Sequence, residues 1–152
     1  MSRPVREPSL DALATAVVET SLRLYRDLGP GLLESVYERL LAVLLSRRGY
    51  CVERQHPVDV HYLGEHFEAA FRVDLLVEGR LVVEVKAAET MPPLALRQTL
   101  TYLRLLGLPL GLVVNFGGPS LAGAIRRVVN HHRDIAGSTL RVHRLPRLSP
   151  EP

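Results

Sequence analysis

The segment Leu81-Val82-Val83-Glu84-Val85-Lys86 leaves this chain few ways to fold. Its apolar residues fall at both parities, so a strand built from them has no wet face and must be covered on two sides. Helices have to supply that cover. Glu84 and Lys86 are then out of place, because an isolated charge in a covered strand is costly unless something compensates it.

The rest of the sequence supplies the covering elements. Ser9 can cap a helix carrying Leu10, Leu13, Val17 and Leu24, which ends near Gly29-Pro30-Gly31. Leu33, Val36, Tyr37, Leu40, Leu41 and Leu44 repeat at three and four residues, predicting a second helix over 33–45 with Gly49 as its stop. The period then changes. Val52, Val58 and Val60 fall in a partly alternating stretch, Gly64 marks a turn, and 67–77 and 80–85 read as strands, implying a three-strand meander. Pro92-Pro93 opens a third helix running to Gly107, and Leu110 to Asn115 is a short strand. Leu121 to Val129 reads as a closing helix and Leu140 to His143 as an edge strand. The order α, α, β, β, β, α, β, α predicts the α/β class: a mixed central sheet, antiparallel meander plus crossover strand, flanked by helices.

The 152 residues suit one hydrophobic core. We expect one domain over 9–143, a flexible N-terminus at 1–8 and a flexible tail at 144–152. No apolar run reaches the roughly 20 residues that cross a bilayer, and the charged, proline-bearing start does not read as an export signal. Cys51 is the only cysteine, which excludes an intramolecular disulfide and suits a cytoplasmic location. The net charge of +3 permits contact with phosphate backbones without requiring it.

Of the 19 basic residues, Lys86 is the sole lysine. Its neighbours suggest why lysine stands there. If Glu78 to Arg80 forms a three-residue loop, Val77 pairs with Leu81 and Asp74 with Glu84, so both carboxylates share one face and Lys86 shares it two residues on. A two-residue turn would turn Glu84 away unless a bulge restored the register. Two adjacent buried carboxylates call for a cation, and hard oxygen ligands suit Mg²⁺ or Mn²⁺. A lysine beside them can orient or deprotonate a water, which arginine cannot do at useful pH.

Glu34, at the edge of the second helix's apolar face, is a third candidate carboxylate, with complementing the helix dipole as its plainer role. Gln98 and Tyr102, four apart, share a face of the third helix and can point inward or simply fill the seam. His131-His132 lacks the spacing of a zinc site. With Arg126 and Arg127 it reads as a basic surface usable against nucleic acid.

Gly31-Leu-Leu-Glu34-Ser-Val-Tyr37 resembles the signature of the GxxExxY proteins, a branch of the PD-(D/E)XK nuclease superfamily. Arg72-Val-Asp74, Glu84-Val-Lys86, Gln98-Thr-Leu-Thr-Tyr102 and Asn115-Phe-Gly117 are similar to its later blocks. Val73 stands where the superfamily's name has proline. The resemblance implies a restriction-endonuclease-like fold and a Mg²⁺- or Mn²⁺-dependent nuclease acting on DNA. Asp74, Glu84 and Glu34 would hold the metal and Lys86 would position the attacking water. Gln98, Tyr102 and Tyr37 would support the site or contact substrate. A homodimer would suit cutting two strands. The rival expectation is a non-catalytic module that keeps the nuclease fold to bind nucleic acid or a protein. An enzyme acting on another phosphate ester ranks lower, since no P-loop is present.

Overall fold

A computed structural model describes residues 7–131. Two helices, α1 (Leu10–Leu28) and α2 (Glu34–Arg47), precede the strands β1 (Val52–Tyr62), β2 (Glu65–Val77) and β3 (Leu81–Lys86). Then come α3 (Pro93–Leu106), β4 (Leu110–Asn115) and β5 (Ile125–Val129). The five strands form one sheet in the order β1-β2-β3-β4-β5. Every pair is antiparallel except β3 with β4, which are parallel and joined through α3. The fold is the expected α/β class.

β3 is the central strand and is covered on both faces. Val83 and Val85 meet the core under α1 and α2 with Leu13, Val17, Leu41 and Leu45. Val82 meets the smaller core under α3 with Tyr102 and Leu103. A fully buried leucine or valine contributes about 1.5–3 kcal/mol, so packing rather than intrinsic propensity holds a short helix such as α2 in place. At the start of α1, the Ser9 hydroxyl accepts the Ala12 amide at 3.1 Å as the N-cap.

The expected closing helix over 121–129 is wrong. Gly117-Gly118-Pro119 and Gly123, at φ +74°, break the backbone there. Ile125-Arg-Arg-Val-Val129 instead pairs antiparallel with β4, Ile125 opposite Val114. Its β-branched residues flank the arginine pair, a strand signal that the arginines obscure. The strand expected at Leu140–His143 and the tail after it lie outside the described residues, as does most of the N-terminal segment. Among the described residues no helix is long and apolar enough to cross a membrane.

The end of β4 fixes the segment that follows β3. The Asn115 side chain donates to the Ala88 carbonyl at 2.9 Å and accepts the amides of Ala88 and Gly117 at 2.9 and 3.1 Å. The Phe116 amide donates to the Lys86 carbonyl at 2.8 Å. Gly117 passes so close that a Cβ would overlap the Ala88 backbone, whereas one on Gly118 would find its nearest neighbour at 3.6 Å. Gly117→Ala should therefore lower stability by about 1–3 kcal/mol, while Gly118→Ala stays within about 0.5 kcal/mol. Thermal melts of the two variants check this, and equal melting temperatures would contradict the close approach.

Candidate active site

Val77 pairs with Leu81, Leu76 with Val82 and Leu75 with Val83, which is the register of the three-residue loop. One step further, side chains replace the ladder. The Asp74 amide donates to Glu84 Oε1 at 3.1 Å, and the Val85 amide donates to Asp74 Oδ2 at 2.9 Å. The two carboxylates are thus wedged into the gap where β2 and β3 separate. Beyond it β2 exchanges its faces: Leu75 and Val77 belong to the core under α1 and α2, whereas Val73 belongs to the core under α3.

Glu84 is buried and stands against Asp74. Burial, and after it the charge of Asp74, pushes the Glu84 carboxyl up to about 8, with Lys86 pulling weakly the other way. Tyr102 of α3, which packs with Val82 on the same side of the sheet, is raised too, first by burial and then by the charges of Glu84 and Asp74. Gln98 lies one turn earlier on that face, half-buried, with no side-chain hydrogen bond among the described residues.

Lys86 lies on the face of Glu84, and its Nζ is 3.6 Å from Glu34 Oε1. Glu34, expected among the metal ligands, stands in the structure against Lys86. As the first residue of α2 it reaches the ammonium, not the carboxylate pair, and its side chain is 46% exposed. Among the described residues no three acidic, histidine or cysteine side chains stand together as a ready ligand set.

Tyr37 was expected to support the site or contact substrate. It is fully buried and stacked on Phe116, ring centroids 4.5 Å apart. Its hydroxyl donates to the Gly29 carbonyl and accepts the Leu32 amide. Tyr37 therefore fastens the loop that delivers Glu34. Gly31 in that loop has φ +116°, open to glycine alone at low cost.

Three residues enter that the sequence reading missed. Gln55 donates to Asp74 Oδ1 at 3.3 Å and to Glu38 Oε2 at 2.9 Å. Glu38 is 5% exposed, and its other oxygen faces the Arg54 guanidinium at 3.4 Å without a hydrogen bond. This chain of contacts braces Asp74 from α2. Glu38 had a signal, an acid inside the stripe Tyr37, Leu41, Ala42 and Leu45. Gln55 had none, since its position depends on a left-handed backbone at φ 52°.

Arg126 and Arg127 do not form one basic patch. Neighbours on a strand point to opposite faces. Arg127 meets Asp11 of α1 at 3.0 Å, and Arg126 pairs with Val113, which in turn pairs with Glu84. Arg126 thus shares the face of Glu84, two strands away. An open groove of about 740 Å³ runs beside the hairpin, bordered by Val58, Asp59, Arg72 and Leu106, and none of the acidic pair lines it.

The donor set suits a hard divalent cation. Mg²⁺ is commonly held by one or two carboxylates and completes its shell with water and phosphate oxygens. A buried acid raised by its neighbour's charge is the electrostatic mark of a place where a cation relieves repulsion.

A family model described as the PD-(D/E)XK nuclease superfamily matches residues 11–128, and the chain belongs to that superfamily. Neither a curated protein sequence nor a solved structure matches the chain.

Glu84 also sets a pH dependence. In the unfolded chain its carboxyl returns to the ordinary 4.5. Between there and about 8 the metal-free native state holds a proton that the unfolded chain has lost. Stability should therefore fall as pH rises through that window, by on the order of a few kcal/mol. Thermal melts in EDTA should show the fall, and Glu84→Gln should flatten it. A wild-type profile that is already flat would contradict the buried pair.

Proposed function

We propose that this protein is a Mg²⁺- or Mn²⁺-dependent nuclease that hydrolyses phosphodiester bonds in DNA. The observation that carries this reading is the Asp74–Glu84 pair at the opening of the β2–β3 ladder, with Lys86 on the same face of β3. Membership of the superfamily supports nuclease-type chemistry. The cation and the choice of DNA rest on the donor chemistry and on the sequence resemblance.

Asp74 and Glu84 are the residues that would hold the cation, Asp74 kept in orientation by Gln55. When bound, the ion stabilises charge developing on the phosphate and lowers the pKa of coordinated water. Lys86 orients the attacking water with its ammonium, and Glu34 holds that ammonium at the site through their contact. Arg126 remains available for a phosphate contact on the face of Glu84. Gln98, without a hydrogen-bonding partner beside Tyr102, is a substrate contact.

Within the superfamily we place the chain with the GxxExxY proteins. Each signature residue has a part in this reading: Gly31 forms the loop, Tyr37 fastens it and Glu34 meets Lys86.

Purified protein with Mg²⁺ or Mn²⁺ should cut DNA. Lys86→Ala and Lys86→Arg should both slow cutting by roughly two to four orders of magnitude while circular dichroism stays unchanged. Cutting at the wild-type rate by both variants would contradict the assigned role. Mn²⁺ binding without any cutting would favour a non-catalytic nuclease-fold module.

A further inference from the structure

The aromatic residues of this chain are few, three phenylalanines and five tyrosines with no tryptophan. Of the eight, those exposed by more than a third are Tyr62, Phe67 and Phe71, at 38, 51 and 40%. All three lie on the outer half of the β1–β2 hairpin, beyond the kink at Gln55 and Asp74. Val58 pairs with Phe71, Val60 with Phe67 and Tyr62 with Glu65, so the three rings share one face. That face is the one turned to α3, since Val58 is buried with Tyr102.

The row is continuous with the carboxylate pair. Phe71 packs on Tyr102 at 5.7 Å between ring centroids, and Tyr102 shares its core with Val82, which lies on the same face of β3 as Glu84 and two residues before it. A chain of rings thus leads from the catalytic floor outward along the hairpin.

The spacing of the rings is set by a bulge. Between these two pairs, three residues of β2, 68–70, stand against one of β1, Asp59. The surplus is taken up around Ala69, which has φ 48° and donates its amide to Asp59 at 2.8 Å, while Asp59 also meets the His66 ring at 2.9 Å. Phe67 and Phe71 therefore face β1 positions two residues apart, about 7 Å along the strand. That is roughly twice the ~3.4 Å rise between stacked bases in a duplex. Duplex bases cannot reach such rings, whereas the bases of an unstacked strand can each lie on one. On that face Glu65 stands opposite Tyr62, while Val60 and Val58 stand opposite Phe67 and Phe71, so the rings form a single row along the hairpin.

We propose that the outer β1–β2 hairpin is a stacking platform for unpaired DNA, and that the substrate is a single strand or a flap whose bases leave the carboxylate site along Phe71, Phe67 and Tyr62. This rests on the nuclease reading and narrows its substrate.

The test is fluorescence anisotropy with a labelled thymidine oligonucleotide and a blunt duplex of the same length, in Ca²⁺. The full-length protein and its Phe67→Leu and Phe67→Tyr variants are compared, with circular dichroism as the folding control. Wild type should bind the single strand more tightly than the duplex. Phe67→Leu, which keeps an apolar side chain but no ring, should weaken single-strand binding about tenfold and leave duplex binding unchanged. Phe67→Tyr should restore the wild-type affinity. Equal single-strand affinity for wild type and Phe67→Leu would overturn the platform, and Mg²⁺-dependent cutting by both would show that the nuclease reading survives. No binding of either DNA, with no cutting, would overturn both. A wild-type dimer that Phe67→Leu dissociates in sedimentation would make the surface a protein interface and overturn the platform.

Discussion

The site depends on a substitution at the β2–β3 ladder. Where the next backbone pair would form, the carboxylates of Asp74 and Glu84 accept the strand amides instead. That exchange opens the sheet, reverses the faces of β2 and sets two acids against each other in a buried place. The repulsion is tolerable because each carboxylate accepts an amide, because Gln55 donates to Asp74, and because Glu84 can hold a proton when no cation is present.

The remaining elements serve the two ends of that gap. From one face, α2 brings Glu34 to Lys86 and Glu38 to Gln55, residues one helical turn apart. The Tyr37–Phe116 stack links the loop before α2 to the end of β4, and Asn115 and Gly117 tie that end to the backbone after Lys86. From the other face, α3 covers Glu84 with Tyr102. Residues far apart in sequence thus fix one lysine and one pair of acids, and a residue such as Tyr37 can be essential to position without touching substrate.

Much of this was legible from period and turn chemistry. The central strand with no wet face, the capped first helix and the Gly107 stop of α3 all follow from local pattern, whereas the hairpin left two registers open and the strand pairing selects the three-residue loop. What was not legible depends on contacts. A helical wheel gives the face of Glu34 but not its reach to Lys86. The kink at Gln55 needs a left-handed backbone that no neighbouring residue announces. Arg126 and Arg127 looked like one basic patch because they were placed on a helix. On β5 they separate to opposite faces, and Arg127 meets Asp11.

The central claim is that Asp74 and Glu84 together form the cation site. It is tested most directly by titrating Mn²⁺ calorimetrically at pH 7 in two buffers of different ionisation enthalpy. With the Glu84 carboxyl near 8, binding should release close to one proton from the wild type. Glu84→Gln should release none and bind more weakly, and Asp74→Asn should bind more weakly as well. Mn²⁺ binding with no proton release, or with an affinity indifferent to both substitutions, would contradict the account.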